Sequence, residues 1–334
     1  MTRVQEKSFS GHASVSLVTG AAGFLGSHLV DRLLSKGHQV VGIDNLSTGN
    51  PENLKNALSD KKKFHFIQAD VTLNPELPEL KYDYIWHLAS PASPVDYRRL
   101  SIETLLVNSA GTKNILDIAL RHKAKFLLAS TSEVYGDPLV HPQKEDYWGN
   151  VNPIGERACY DESKRFAEAL TTEYRRRFGL DARIIRIFNT YGPRMRIQDG
   201  RVIPNFISQA LRGEPLTVYG NGNQTRSFVY IDNEVEGIMR AMFYENTDGE
   251  VINIGNPQEY TILEVARIVA QLCRVELNII YESLPSDDPT RRSPDLSKAR
   301  ALLGWKPSIP FEIGLTKTID YFVQRKLKDQ VSKK

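Results

Sequence analysis

Val18-Thr19-Gly20-Ala21-Ala22-Gly23-Phe24-Leu25-Gly26 is the stretch whose reading decides the fold. Three glycines at a spacing of three follow the short β-rich run 15–18 and open a segment whose Leu25, Leu29 and Leu33 recur at helical spacing. A strand that turns sharply into a helix needs backbone free of Cβ atoms at the turn. The helix N-terminus then offers N–H donors and positive dipole to a pyrophosphate. Gly20, Gly23 and Gly26, with Phe24 and Leu25 among them, are therefore read as the phosphate side of a dinucleotide site. Asp44 closes the next β-rich run, eighteen residues beyond Gly26. A carboxylate there accepts from both hydroxyls of an adenosine ribose and repels a 2′-phosphate, so the cofactor expected is NAD rather than NADP. Asn45, Thr48 and Gly49 are expected to line the adenine end, and Asp70 and Val71, after the third run, to meet the adenine edge.

Outward from this turn the pattern repeats. Residues 15–18, 40–43, 64–67, 84–88, 126–129 and 184–188 are short, apolar and β-rich, as buried parallel strands are. Helix-patterned segments lie between them, including 101–120 and 161–178. This alternation implies an α/β chain with a doubly wound parallel sheet, the Rossmann architecture. Beyond Thr190 the rhythm changes: Gly192-Pro193, Gly213, Pro215 and Gly220-Asn221-Gly222 punctuate shorter elements. A helix at 263–272, a loop at 286–295 and a last helix around 315–325 follow. We expect an NAD-binding domain over 1–190 that also takes in about 224–252. A smaller α/β C-terminal substrate domain, mainly 191–334, completes the chain, which crosses between the two more than once.

The 334 residues are 41% hydrophobic and 25% charged, an ordinary enzyme composition with enough chain to bury a full core. Two cysteines, Cys159 and Cys273, form neither a disulfide framework nor a metal-ligand spacing. Reduced thiols, no metal and a cytoplasmic setting are expected. The net charge of +3 is slight, and the runs Lys61-Lys62-Lys63 and Arg175-Arg176-Arg177 read as solvated, which argues against a nucleic-acid partner. The first fourteen residues lack the apolar core of a signal peptide, and no stretch approaches the roughly 18 apolar residues of a membrane span. The tail 326–334 is polar and expected to fray.

Tyr160 and Lys164 stand four apart at the start of a helix-patterned segment, which puts them on one helix face. A neighbouring ammonium, together with a positive nicotinamide, would stabilise the phenolate and make Tyr160 a usable base. Thr131, Ser132 and Glu133 follow the fifth strand, on the side of a parallel sheet where active sites collect.

At this point the chain resembles an extended short-chain dehydrogenase/reductase and, within that superfamily, the UDP-glucuronate decarboxylases or UDP-xylose synthases. The resemblance covers roughly residues 15 to 320. It rests on His87-Leu88-Ala89-Ser90-Pro91-Ala92-Ser93-Pro94-Val95-Asp96-Tyr97, on Ser130-Thr131-Ser132-Glu133-Val134-Tyr135-Gly136-Asp137-Pro138 and on Tyr147-Trp148-Gly149-Asn150-Val151-Asn152-Pro153-Ile154-Gly155. Arg186-Ile187-Phe188-Asn189-Thr190-Tyr191-Gly192-Pro193-Arg194-Met195 and Gln224-Thr225-Arg226-Ser227-Phe228 add to it. It implies that Tyr160 takes the proton of the sugar C4 hydroxyl, that Thr131 bonds the same oxygen, and that C4 gives hydride to NAD. The C6 carboxylate, now β to a ketone, leaves as CO2. C5 is then protonated and hydride returns to C4, so redox is zero overall.

The resemblance also implies that Lys164 holds the nicotinamide ribose and that Leu88 and Ser90 lie beside the cofactor. Glu133 and Arg226 fall at the sugar carboxylate. Glu133 acts either by like-charge repulsion or, with a raised pKa, as a proton donor, and both readings stay open. Asn189 and Arg292 are expected at the pyrophosphate, Val218 and Tyr219 at the uracil, and Tyr97 near the sugar. A homodimer through the helices near 100–120 and 160–178 is implied as well. Where related 4,6-dehydratases carry Asp-Glu after the threonine, this chain has Ser132-Glu133, and a hydroxyl is too weak an acid to expel water from C6. The alternatives are a UDP-hexuronate 4-epimerase and a non-catalytic NAD-binding relative. The intact set Thr131, Tyr160 and Lys164 argues against the latter.

Overall fold

The computed structural model describes residues 13–284 and 291–331. Most of the polar start, residues 286–290 of the C-terminal loop and the last three residues of the tail lie outside the described residues. Along the chain, β1 (Val15–Thr19) leads through the glycine turn into α1 (Phe24–Ser35), then β2 (Gln39–Asp44), α2 (Lys55–Ser59), β3 (Phe64–Gln68) and β4 (Tyr84–His87). Next come α3 (Pro94–Arg99), α4 (Ser101–Leu106), a π turn at Val107–Gly111 and α5 (Thr112–His122). The chain returns through β5 (Lys125–Thr131), α6 (Ala158–Phe178) and β6 (Ala182–Ile187). The remainder comprises β7 (Thr190–Tyr191), α7 (Val202–Arg212), β8 (Leu216–Tyr219), β9 (Thr225–Ser227), β10 (Val229–Tyr230), α8 (Ile231–Phe243) and β11 (Val251–Ile254). It closes with β12 (Glu259–Thr261), α9 (Ile262–Cys273), β13 (Ile279–Glu282), β14 (Arg291–Arg292), α10 (Ser297–Leu303) and α11 (Phe311–Val331).

Seven parallel strands in the order β11-β6-β5-β4-β1-β2-β3 form the main sheet. Its central strands are largely apolar and buried because both faces are covered. Leu17, Val41, Ile85, Phe126 and Ile184 point into a core with Ile115 and Leu116 of α5 and Ala167 of α6. Their alternating neighbours Val18, Val40, Trp86, Leu127 and Ile185 point into the opposite core, with Leu29 and Leu33 of α1 and Val235 and Ile238 of α8. Strand order runs one way from β1 and the other way from β4, so a crevice opens between their carboxyl ends.

The part read as short punctuated elements contains two full helices, α7 and α8, each with a buried face. β11 returns to the main sheet beside β6. Three small sheets, β8 with β13, β7 with β10, and β9 between β12 and β14, wall the crevice. The last helix is longer than expected, and the tail expected to fray continues it as far as Val331. Among the described residues, no helix is long and apolar enough to cross a membrane.

Candidate active site

The crevice is a cleft of about 670 Å³ over the carboxyl edge of the main sheet. At its floor Gly20 adopts φ +70°, a conformation L side chains rarely take. A Cβ on Gly26 would stand 2.0 Å from the Gly20 carbonyl oxygen, so the strand-to-helix turn closes only with glycine there. No side chain caps α1 at Gly23, which leaves its first-turn N–H groups to face the cleft. The cradle suits a pyrophosphate, and the Asp44 carboxylate suits the ribose beyond it.

Asp44 accepts from the N–H of Ala22 at 3.0 Å and of Leu46 at 2.8 Å. Burial raises its pKa against these bonds. Gly49 does not line the cleft. A Cβ there would meet the Asp44 carboxylate at 2.7 Å, so its smallness makes room for that group. Asn45 donates to Asp70 at 2.8 Å, and Asp70 also accepts from the Thr72 N–H and hydroxyl. Burial opposes the Asp70 charge, but these bonds outweigh it and hold the carboxyl below its ordinary range.

The segment after β4 is pinned by a buried chain. Thr19 Oγ1 accepts from the N–H groups of Leu88 and Ala89, both at 3.1 Å. Its own proton is then directed to His87 Nδ1 at 2.8 Å, and His87 Nε2 donates to Thr112 Oγ1 at 3.1 Å. Burial, with Lys164 nearby, lowers His87 to about 3, so the ring is neutral. Asn108, in the π turn, donates to Ser90 at 3.0 Å and to Ser163 of α6 at 3.1 Å. The turn thereby ties the cofactor loop to the helix bearing Tyr160.

Thr131 ends β5 and accepts from the Glu133 N–H at 3.2 Å. Tyr160 lies in the first turn of α6, buried, and hydrogen-bonds with Thr131. Tyr97 stacks on it, ring centroids 5.0 Å apart. The Tyr97 hydroxyl is buried without a hydrogen-bond partner. Lys164 shares the helix face, but its Nζ donates to the Ala129 carbonyl at 2.9 Å and stands 5.9 Å from the Tyr160 ring centroid. Burial pulls Lys164 down to about 7. The sequence leads us to expect a phenol lowered by Lys164 together with a bound nicotinamide. In the protein alone burial raises Tyr160, with the Thr131 bond the largest opposing effect.

Glu133 is gripped from two sides. Arg157 donates to Oε2 and Arg292 to Oε1. Burial disfavours its charge, but the two guanidiniums prevail and hold it below the ordinary carboxylate range. Arg292, assigned by sequence to the pyrophosphate, is 2% exposed, bound to Glu133 and to the Gly136 carbonyl. Arg226, assigned to the carboxylate end, is its register neighbour across the β9–β14 pair and also lines the cleft. Glu133 is thus held by Arg292 of β14 together with Arg157, which stands just before α6.

Ser132 lines the cleft, as do Asn189 and Tyr219. The Asn189 amide donates to the Ser227 carbonyl at 3.3 Å. Along β8 the Val218 side chain is wholly buried in the core while Thr217 and Tyr219 line the cleft; the part of this strand expected at the uracil is its backbone. Gly20, Gly23, Phe24, Leu25, Gly26, Asp44, Asn45, Thr48, Asp70, Val71, Leu88 and Ser90 all line the same cleft.

Sequence reasoning missed Arg157, Asp161 and the strap 192–202. The strap is fastened by Arg194 to Asp31 at 2.5 Å and by Arg196 to Asp96. These pairs join distant segments, so no local spacing announces them.

Residues 16–255 match the NAD dependent epimerase/dehydratase family. Among curated relatives, the chain is 52% identical over 314 residues to UDP-glucuronic acid decarboxylase 2 of Arabidopsis thaliana, covering 94% of this chain and 69% of that protein. It is 52% identical over 306 residues to UDP-glucuronic acid decarboxylase 1 of Xenopus tropicalis, covering 92% and 71%. Among solved structures, it resembles a UDP-glucuronic acid 4-epimerase from Bacillus cereus in complex with UDP-glucuronic acid and NAD. The TM-score is 0.84 at 32% identity, covering 93% of this chain and 99% of that one.

Proposed function

The chain belongs to the NAD dependent epimerase/dehydratase family and, within it, to the UDP-glucuronic acid decarboxylases; from that premise we propose that the cleft's own residues divide the reaction between a Tyr160 end and a Glu133 end. The reaction is decarboxylation of UDP-glucuronate to UDP-xylose and CO2. NAD, once bound, supplies the hydride acceptor at C4 and the hydride that restores it.

The chain's part begins with proton transfer. Tyr160 takes the C4 hydroxyl proton and later returns it, with Thr131 bonded to the same oxygen. Once C4 is a ketone, departure of CO2 leaves negative charge on the ketone oxygen. The Thr131 and Tyr160 hydroxyls are preorganised donors for that charge, in a site dry enough to give them strength. Lys164, fixed on the Ala129 carbonyl, supports the cofactor side of Tyr160. Glu133, held ionised, acts by electrostatics rather than as a proton donor: its charge disfavours a second bound carboxylate and favours neutral CO2. Among the other cleft-lining residues, Asn189 serves the nucleotide phosphates, Tyr219 the base and Arg226 the sugar carboxylate end.

The observation that carries this reading is the convergence of Tyr160, hydrogen-bonded to Thr131, and of the twice-gripped Glu133 on the cleft floored by the glycine turn. The deciding experiment is to follow the anomeric proton during UDP-glucuronate turnover without added NAD. A pentose product with CO2 is expected. A C4-inverted uronate would replace this reading with epimerisation. The exposed apolar side chains Ile102, Leu105 and Leu106 of α4 and Phe166 of α6 support a second copy of this chain as partner. The two free cysteines support a reducing, cytoplasmic setting.

A further inference from the structure

We propose that Arg157 is a positioning residue for the decarboxylation step, acting through Glu133: it fixes the orientation and the ionised state of that carboxylate and links it to the helix carrying Tyr160. This rests on the decarboxylase reading.

Arg157 stands immediately before α6, and its carbonyl accepts the N–H of Tyr160 at 2.9 Å and of Asp161 at 3.0 Å. Its side chain turns back to Oε2 of Glu133, at the start of the turn after β5. The residue that sets the entry of the base-bearing helix thus also grips the acid at the other end of the reacting carbons. Arg157 is 9% exposed, so the pair works in a weakly screened setting. Arg292 takes the other oxygen, Oε1, so neither guanidinium duplicates the other.

Asp161 shows what this region does to a carboxyl without such a grip. Asp161, four residues along the helix, shares the buried region, and one of its carboxyl oxygens lacks a partner. Burial and the Glu133 charge push Asp161 well up, despite Arg157 and Arg292 nearby. Burial thus works against any carboxylate here, and at Glu133 the Arg157 and Arg292 charges together oppose it. The charged and titratable groups around Glu133 are Arg157, Arg292, Asp161, Tyr97 and Tyr160.

Loss of Arg157 leaves only Arg292, on Oε1, to oppose burial and uncovers Oε2, which can then take up a proton. A protonated Glu133 donates a hydrogen bond to the sugar carboxylate. That bond stabilises the carboxylate against departure, because the C5–C6 bond must break with its electron pair going to the C4 ketone. Oxidation at C4, which moves one hydride to NAD and one proton to Tyr160, does not involve Glu133. A slowed second step therefore leaves the cofactor reduced.

The test uses Arg157→Gln, Glu133→Gln and the double variant, with CO2 release and absorbance at 340 nm followed on UDP-glucuronate. Arg157→Gln is expected to slow CO2 release about 10- to 100-fold, change KM less than about threefold, and accumulate reduced cofactor at steady state. The double variant is expected to be no slower than Glu133→Gln, since the two residues act as one unit. Arg157→Lys, which keeps the charge but not the fork, should recover part of the rate. Rate losses that multiply in the double variant would overturn the proposal. So would a slowed Arg157→Gln, or Arg157→Lys should the former not fold, without reduced cofactor. Failure of the underlying reading is seen separately, as a parent protein that releases no CO2.

Discussion

In the protein alone Tyr160 is a phenol, since burial raises it; to take the C4 hydroxyl proton it must first become phenolate. Its proton transfer therefore depends on Thr131 and on the positive ring that NAD brings. Tyr160→Phe keeps the stacked ring against Tyr97 but removes the hydroxyl. We expect kcat to fall by about 10²- to 10⁴-fold with NAD affinity unchanged, measured by turnover and by calorimetric titration of NAD. A loss below tenfold would remove Tyr160 from proton transfer. Asp161 tests the same region through pH. Burial and Glu133 push it up to about 8, above its value in the unfolded chain. The folded state thus binds a proton the unfolded state has released, and stability falls as pH rises from the ordinary carboxylate range toward 8. Asp161→Asn abolishes that slope. Its melting temperature should match the parent in acid and exceed it increasingly up to pH 8, then by a constant margin. An equal margin at every pH would show that Asp161 does not carry the proton.

At the scale of elements, the π turn at Val107–Gly111 is the piece that no periodicity announced. A helix pattern over 101–120 reads as continuous, yet one widened turn brings Asn108 inward, where it also bonds the Thr104 carbonyl at 2.9 Å. Asn108→Ala would leave Ser90 and Ser163 without that donor, and we expect a loss of about 1–3 kcal/mol in denaturant unfolding with an unchanged m-value. An intact stability would make the turn a passive accommodation of Gly111 against Val71, where a Cβ would meet a methyl at 2.9 Å. What was legible in the sequence had short spacing. The glycine turn, Asp44 at the end of β2 and the Tyr160–Lys164 face all follow from local periodicity. The grip on Glu133 does not, since its partners lie 24 and 159 residues away. Helices α7 and α8 were hidden for another reason: glycine and proline around them suggested turns, while their buried faces answer to tertiary packing.

At the scale of the whole molecule, α4 and α6 pack on one another and both carry exposed apolar side chains. Ile102 is 63% exposed and Phe166 51% exposed, side chains that a second copy of this chain would cover. We expect light scattering to give twice the chain mass of 37.8 kDa, and Ile102→Glu with Phe166→Glu to return it to that of one chain. A parent that scatters as a single chain would leave those side chains unexplained by self-association.

The path of the backbone between the main sheet and the small ones bears on how the cofactor is kept. The chain departs after Ile187, comes back through α8 and β11, and departs again after Ile254. At least three lengths of backbone therefore run from the floor of the crevice to its wall. A jaw pivoting on one thread could let its contents go between turnovers, but here any swing must bend all of these threads together. The spacing of the walls is stitched in, which suits chemistry in which a hydride must go back to the carbon it came from.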